Sequence, residues 1–431
     1  MKALFSIIVI LLLISTSPSF GQLSGKEKKL TQYIDKTNAE AVVLLKKIVN
    51  MNSGTMNFEG VKAVGEVLMP LFAELGMEVR WADGSSFGRA GHLVAKIEGG
   101  KGKKILMIGH LDTVFEPDSP NQEWIPVDEN TVKGPGIADM KGGDIIILQS
   151  LRALHAQGLL KDMNITVVMT GDEELSGSPL SESKKELVEA AKWADIALGF
   201  ENGDGNPYTA NVARRSSSGW NVTVTGNAAH SSQIFKPSVG AGAIYEASRI
   251  LYRFYEELSE EEFLTFNPGV MVGGTTVMHD GSANSGSAFG KDNVVAKDAT
   301  ITGDIRCLTP EQLSKTQETM KRIVADHLPG TDAMITFKEG YPPFAPTEGN
   351  YELLEQFSKV SQDLGLDPVT PVNPSDAGAA DISFTSEYIE MGIDGMGMAG
   401  ADDHTIRETG FLPALPLQSK RAAVLLYRLT R

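Results

Sequence analysis

The chain has 431 residues, of which 42% are hydrophobic and 44 are glycines, and its formal net charge is −16 at pH 7. This composition is typical of a soluble globular protein with room for two domains, and the negative charge disfavours nucleic acid and acidic membranes as partners. The single cysteine, Cys307, excludes an intramolecular disulfide, so the fold must depend on its hydrophobic core.

The first 21 residues have the features of a secretory signal peptide. Lys2 precedes an apolar run from Ala3 to Ile14, and Ser19 and Gly21 stand before a cleavage site at Gln22. The run is short for a transmembrane helix, and an uncleaved membrane anchor is the alternative. We therefore expect an exported protein, periplasmic or secreted, with no stable membrane anchor after cleavage.

Apolar periodicity in the remaining chain predicts alternating helices and strands. Two opening helices are predicted over residues 23–50 and 61–75, and later helices over 143–157 and 184–193. Short apolar runs of strand length cover residues 104–109, 165–170, 196–200 and 392–399. This alternation predicts an α/β fold, with a mostly parallel-sheet catalytic domain covered by helices.

Residues 218–338 follow a different pattern. Strands are predicted over 220–226, 268–278, 293–307 and 333–338, and helices over 239–257 and 310–328. The order β-α-β-β-α-β is the ferredoxin-like pattern, and the segment 279–293 is rich in glycine and serine and is expected to be a loop. We predict an inserted α+β ferredoxin-like lid domain within a catalytic domain formed by residues 22–217 and 339–431, which resumes with a helix over 351–364.

Each strand predicted outside this insertion is followed by acidic or imidazole side chains. In chain order these are His110 and Asp112, then Asp172, Glu173 and Glu174, then Glu201, and finally Asp402, Asp403 and His404. The carboxyl ends of parallel strands meet at one edge of a sheet, where ligands bind. Because repulsion among so many carboxylates is costly without a cation, the sequence predicts a metal site at this edge.

Five side chains form the predicted ligand set, and they are His110, Asp139, Glu174, Glu201 and His404. Asp139 lies in GPGIADMKGG, where glycine and proline predict an irregular loop before a helix. Five ligands exceed one four-coordinate zinc site, and a bridging carboxylate would divide them between two ions about 3.5–4 Å apart. The other histidines considered are assigned to hydrogen-bonded surface positions: His92, His155, His279 and His327.

Three acidic side chains beside these ligands have predicted supporting roles. Adjacent residues of an extended chain point to opposite sides, so Glu174 can reach a metal while Glu173 reaches the water to be activated. Asp112 is placed two positions after His110 to orient its imidazole. The alternative, an acidic helix N-terminus in GDEELSGS, would account for one carboxylate only.

The motifs GHLDTV, GPGIADMKGG, TGDEELSG, GFEN and His404-Thr405 occur in an order that resembles a known superfamily. From about Lys26 to the C-terminus, the chain resembles the zinc metallopeptidases that include glutamate carboxypeptidase (carboxypeptidase G), aminoacylase and succinyl-diaminopimelate desuccinylase. The resemblance implies two zinc ions per subunit bridged by Asp139, with His110 and Glu201 on one ion and Glu174 and His404 on the other.

The resemblance also implies roles outside the ligand set. Glu173 matches the general base that deprotonates the water between the metals, and Asp112 matches the orienting acid. A non-proline cis peptide is implied at Asp139-Met140.

The inserted domain carries further implied roles. In GNAAHSS, His230 matches a lid histidine that reaches the active site of the other subunit of a homodimer and stabilises the oxyanion. Asn293 and Arg306 match positions that bind the substrate carbonyl and the C-terminal carboxylate.

Two departures from the family pattern limit the substrate prediction. His230 is followed by Ser231-Ser232 where many relatives have Ala-Gly, and Tyr341 stands where the glutamate carboxypeptidase has a basic substrate-binding residue. The hydrolase chemistry is therefore predicted more firmly than a preference for glutamate.

The predicted function is an exported dizinc metallopeptidase that hydrolyses the amide bond before a C-terminal amino acid, as glutamate carboxypeptidase does. Its substrate would be a small acylated amino acid or peptide. The alternative is an N-acyl-amino-acid deacylase or dipeptidase on the same scaffold. A catalytically silent relative is disfavoured because Glu173 and all five ligands are present, and a single-domain aminopeptidase would lack the insertion.

Overall fold

The computed structural model describes residues 23–120, 122–281 and 285–431. The predicted signal peptide, residues 1–21, lies outside the described residues. Among the helices of the described part, none combines the length and the apolar character needed to cross a bilayer.

The described residues form nine α-helices, and most of them coincide with predicted ones. The helices are α1 (Gly25–Val49), α2 (Phe58–Ala73), α3 (Gly142–Ala156), α4 (Leu180–Ser183), α5 (Lys185–Trp193), α6 (Ala243–Leu258), α7 (Pro310–Ala325), α8 (Glu348–Asp363) and α9 (Ala414–Leu429). Ser24 and Glu27 begin α1 with a reciprocal capping box. Helix α9, which was not predicted, packs against α1 and α3. An ion pair of 2.7 Å between Arg428 Nε and Glu27 Oε1 joins it to α1.

Eighteen strands are found among the described residues, several of them only two or three residues long. They are β1 (Glu78–Asp83), β2 (Gly91–Glu98), β3 (Lys101–His110), β4 (Ile125–Pro126), β5 (Thr131–Lys133), β6 (Met163–Thr170), β7 (Ile196–Gly199), β8 (Thr209–Ala210), β9 (Ser217–Gly226), β10 (Thr265–Gly274), β11 (Thr276–Asp280), β12 (Ser285–Phe289), β13 (Asp298–Arg306), β14 (Thr331–Tyr341), β15 (Thr370–Pro371), β16 (Met391–Ile393), β17 (Gly400–Ala401) and β18 (Thr409–Phe411).

The largest sheet has six strands in the order β1-β2-β6-β3-β7-β16. Strands β6, β3, β7 and β16 run parallel, whereas β1 and β2 add antiparallel pairings at one edge. Strands β6 and β7 are wholly buried and β3 is buried over residues 105–110, as expected for a sheet with helices on both faces. The predicted α/β class with a mostly parallel sheet is therefore confirmed, and the carboxyl ends of β3, β6 and β7 lie at one edge.

The strand predicted over residues 392–399 is wrong in extent, because β16 ends at Ile393. Asp394 is buried and its Oδ2 lies 2.7 Å from Nε of Arg214, and Gly395 has a φ of 77°. An ion pair and a left-handed glycine turn the chain away from the sheet here.

The inserted segment forms a second sheet of four antiparallel strands in the order β10-β13-β9-β14. Helices α6 and α7 cover one face of this sheet. Trp220, Phe254 and Ile301 belong to a separate hydrophobic core between the helices and the sheet. Two details differ from prediction: the strand predicted over 268–278 is divided into β10 and β11, and part of the predicted loop over 279–293 forms β12, which pairs with β11. We call residues 217–341 the inserted domain; its role as a lid stays a prediction.

Candidate metal centre

His110 is the last residue of β3 and is almost completely buried. Its Nδ1 lies 3.0 Å from the backbone oxygen of Asp112, which leaves Nε2 directed at carboxylates. Nε2 is 3.1 Å from Asp139 Oδ1 and 3.4 Å from Glu201 Oε1. The end of β3 and Glu201, the second residue after β7, therefore meet beside the loop that carries Asp139.

The Asp139 carboxylate lies between the two predicted histidine ligands. Its second oxygen, Oδ2, is 3.0 Å from Nε2 of His404, and the same His404 nitrogen is 3.1 Å from Oε2 of Glu174. One oxygen of Asp139 thus faces His110 and Glu201, and the other faces His404 and Glu174. All five predicted ligands come together, in the two groups that a bridging carboxylate requires.

The peptide bond between Asp139 and Met140 is cis, as the family resemblance implied. It lies in the irregular turn between β5 and α3, where Gly136 has a φ of 69°.

Asp112 does more than the sequence suggested. Its Oδ1 is 3.5 Å from Nδ1 of His110, but its two oxygens also accept the backbone N–H groups of Glu173 and Glu174, each at 3.1 Å. Thr55 donates a further hydrogen bond of 2.6 Å to Oδ2. One buried carboxylate therefore fixes both the histidine and the loop that carries the predicted base and a predicted ligand.

Glu408 is a supporting residue that the sequence analysis missed. Its carboxylate is buried and accepts the backbone N–H groups of Gly136, Ala138 and Asp139, at 2.9, 2.9 and 3.1 Å. Its place four residues after His404 is the only local sign of this role. Burial and the nearby Asp139 carboxylate raise the pKa of Glu408 to about 8, although the three hydrogen bonds alone would lower it.

The electrostatics of the centre fit bound cations. Burial raises the pKa of Glu173 and Glu201 well above the usual range of a carboxyl group, and burial together with the charge of Asp139 raises that of Glu174 to about 7. Hydrogen bonds to Asp139 and Glu174 raise the pKa of His404 to about 11. Positive ions at these converging nitrogen and oxygen atoms would offset the repulsion among the carboxylates, so the residues fit a dinuclear metal centre.

The predicted residues of the inserted domain lie apart from this centre. Nδ1 of the exposed His230 is 2.9 Å from Ser232 Oγ, and the backbone N–H of Ser231 donates to the carbonyl of Asn293 at 2.9 Å. Arg306 is half-buried and its Nε is 3.2 Å from Asp304 Oδ2. Within the described residues of this one subunit, no hydrogen bond or ion pair joins His230, Asn293 or Arg306 to the five predicted ligands.

The prediction that His92 lies at the surface is wrong, because the residue is buried. Its Nε2 lies 2.8 Å from the carbonyl oxygen of Ser183, and its Nδ1 accepts the backbone N–H of Gly171 at 3.1 Å. The ring also stacks on Phe87. This histidine serves the structure beneath the loop that follows β6.

Comparison with known proteins gives one family and a consistent set of relatives. The profile described as Peptidase family M20/M25/M40 matches residues 106–420. Carboxypeptidase G2 of Pseudomonas sp. (strain RS-16) is 27% identical over 389 residues, which cover 89% of this chain and 87% of that protein.

Two solved structures share the fold. Aminopeptidase PepT from Bacillus cereus superposes with a TM-score of 0.70 at 19% identity, covering 91% of this chain and 99% of that one. The Bacillus subtilis YXEP protein, described as a dinuclear metal-binding peptidase from the M20 family, superposes with a TM-score of 0.63 at 16% identity, covering 92% and 100%.

Proposed function

Because the chain belongs to peptidase family M20/M25/M40, we propose that it is an exported dizinc carboxypeptidase that cleaves the amide bond before a C-terminal amino acid such as glutamate. Family membership makes the chain a metallopeptidase. The observation that carries the finer proposal is the Asp139 carboxylate, with His110 and Glu201 on one side and His404 and Glu174 on the other. The similarity to carboxypeptidase G2 supports the choice of substrate class.

The five ligands would hold two zinc ions, which when bound would polarise the scissile carbonyl and lower the pKa of a water molecule. Glu173 has the role of proton carrier. It would take a proton from the attacking water and deliver it to the leaving nitrogen, which needs a carboxylate whose pKa lies near the working pH. Burial of Glu173 raises its pKa in that direction, and Asp112 holds its backbone in place.

The test is amino-acid release by zinc-loaded protein lacking residues 1–21, from N-acyl amino acids and dipeptides that vary on each side of the amide bond. Release governed by the C-terminal residue and strongest for glutamate supports the proposal. Release governed by the acyl group supports the deacylase or dipeptidase alternative instead. Export is tested separately by sequencing the N-terminus of protein from the periplasm or medium, and a chain that begins at Met1 would contradict it.

Arg306 is the proposed partner of the substrate carboxylate, since a guanidinium binds a carboxylate with two parallel hydrogen bonds. We expect Arg306→Ala to raise KM for acylated amino acids by about tenfold or more, with both metals retained, because a charged hydrogen bond contributes about 1.5–3 kcal/mol. Steady-state kinetics with metal analysis measures this. Arg80→Ala is the control, because Arg80 lies on β1 outside the inserted domain and its side chain is 51% exposed. An unchanged KM in Arg306→Ala would contradict the role.

We propose a homodimer formed through the inserted domain. Helix α6 exposes Ile244, Tyr245, Tyr252 and Tyr255, an apolar surface that suits burial against a second copy. His230 is exposed and bound to none of the five ligands of its own subunit, which is consistent with a role in the active site of the partner.

A mixing experiment tests this action between subunits. We expect His230→Ala and Glu173→Gln to be inactive separately, and an equal mixture refolded together to regain about one quarter of wild-type activity. The reason is that about half of the dimers would be mixed, and each would hold one complete site. A mixture as inactive as its components, with mixed dimers demonstrated by differential tagging, would contradict it.

A further inference from the structure

Tyr341 connects the inserted domain to the loop of the predicted base. It is the last residue of β14, where the chain leaves the inserted domain. Its hydroxyl lies 2.9 Å from the backbone carbonyl oxygen of Glu173 and 3.1 Å from Oδ1 of Asp381, and Ser176 donates to it at 3.3 Å. Across the trans peptide bond between Glu173 and Glu174, the carbonyl of Glu173 points away from the N–H of Glu174, so Tyr341 contacts this loop from the side opposite to Asp112, which accepts that N–H.

A buried charged network fixes the position of Asp381. Nζ of Lys184 is 3.0 Å from Oδ1 of Asp381 and 3.0 Å from Oδ1 of Asp172, and Thr170 donates to Oδ2 of Asp381 at 2.6 Å. Burial alone would lower the pKa of Lys184, but the Asp381 and Asp172 carboxylates raise it. Lys184 therefore keeps its positive charge. Because Asp172 directly precedes Glu173 and Thr170 lies three residues before it, the network and Tyr341 fix the same loop.

The Tyr341 ring itself is only partly enclosed. One neighbour is Phe384, whose ring centre is 4.9 Å away, and Lys184 Nζ lies 5.4 Å from the ring centre. The ring also borders a cavity of about 530 Å³ between α5 and α7, lined by Val188, Leu313 and Phe384 among others. The hydroxyl hydrogen bonds therefore act together with these ring contacts to position the side chain.

We propose that Tyr341 is a positioning residue that holds the backbone of Glu173 and links that position to the end of the inserted domain. The inference rests on the proposed role of Glu173 as the base. A tyrosine at this position also gives a function to the departure from the glutamate carboxypeptidase pattern, since its hydroxyl hydrogen-bonds the backbone of Glu173.

The test compares Tyr341→Phe with Tyr388→Phe, whose hydroxyl makes no hydrogen bond within the described residues. We expect Tyr341→Phe to lower kcat by roughly three- to tenfold, the effect of one lost hydrogen bond, with KM within about twofold and metal content unchanged. Tyr388→Phe should match the wild type. A merely structural role would instead lower metal content and stability together, without a separate effect on kcat.

Three outcomes separate this inference from the proposed function. An unchanged kcat in Tyr341→Phe, with Glu173→Gln inactive, overturns the inference and leaves the proposed function in place. A loss of kcat that merely follows a loss of metal overturns it as well. Full turnover by Glu173→Gln removes the basis of both proposals.

Discussion

Glu173→Gln is expected to lower kcat by about 10³-fold while both metal ions remain bound. The amide keeps the size and polarity of the side chain but cannot accept the proton of the attacking water, and general acid–base catalysis contributes about 10²–10⁴-fold. The backbone N–H of Glu173 still reaches Asp112, so the loop should keep its position. Steady-state kinetics together with metal analysis of the same preparation measures both parts of the result.

Glu182→Gln is the matched control, because Glu182 lies on α4 close along the chain and its side chain is 45% exposed. We expect wild-type kinetics from it. If Glu173→Gln kept more than about a tenth of the wild-type kcat, the base would have to be another group, since no smaller effect fits proton transfer in the rate-limiting step.

The second large effect is expected at Glu408. In Glu408→Gln one carboxylate oxygen becomes an NH₂ group, which would face a backbone N–H of the Gly136–Asp139 turn instead of accepting from it. A buried donor left without an acceptor costs about 1–3 kcal/mol, and changes behind a metal ligand lower metal affinity or activity about 10–100-fold. Competition with a zinc chelator measures the affinity, and thermal unfolding of the metal-free protein measures the stability.

Glu355→Gln on the exposed face of α8 is the control for this substitution. Unchanged metal affinity in Glu408→Gln would show that the Asp139 turn keeps its position without the carboxylate. A loss of stability with unchanged affinity would likewise restrict Glu408 to a structural role.

The convergence of the five predicted ligands could be predicted because each follows an apolar run or lies in a glycine-rich turn, and those signals are local. His404 was included in the predicted set although the strand predicted before it, over residues 392–399, is mostly wrong, because β16 ends at Ile393. The pairing of Asp394 with Arg214, 180 residues apart, decides where β16 ends, and no local pattern encodes it.

The supporting residues could not be predicted for the same reason. Glu408 accepts a backbone N–H from Asp139, 269 positions earlier, and Tyr341 meets a backbone oxygen of Glu173, 168 positions earlier. Backbone donors and acceptors carry no residue signature, so a side chain that binds them looks in the sequence like any other glutamate or tyrosine. Helix α9 was also not predicted, although most of its residues are buried.

The position of His404 near the C-terminus has a consequence for the order of synthesis. A ribosome must complete the inserted domain and most of the remaining chain before the second histidine exists, and Glu408 and α9 follow later still. Until then, a nascent chain offers metal ions only the incomplete set of His110, Asp139, Glu174 and Glu201. The full predicted ligand set therefore exists only after synthesis has passed His404, and the turn that carries Asp139 gains its carboxylate partner only after Glu408 follows.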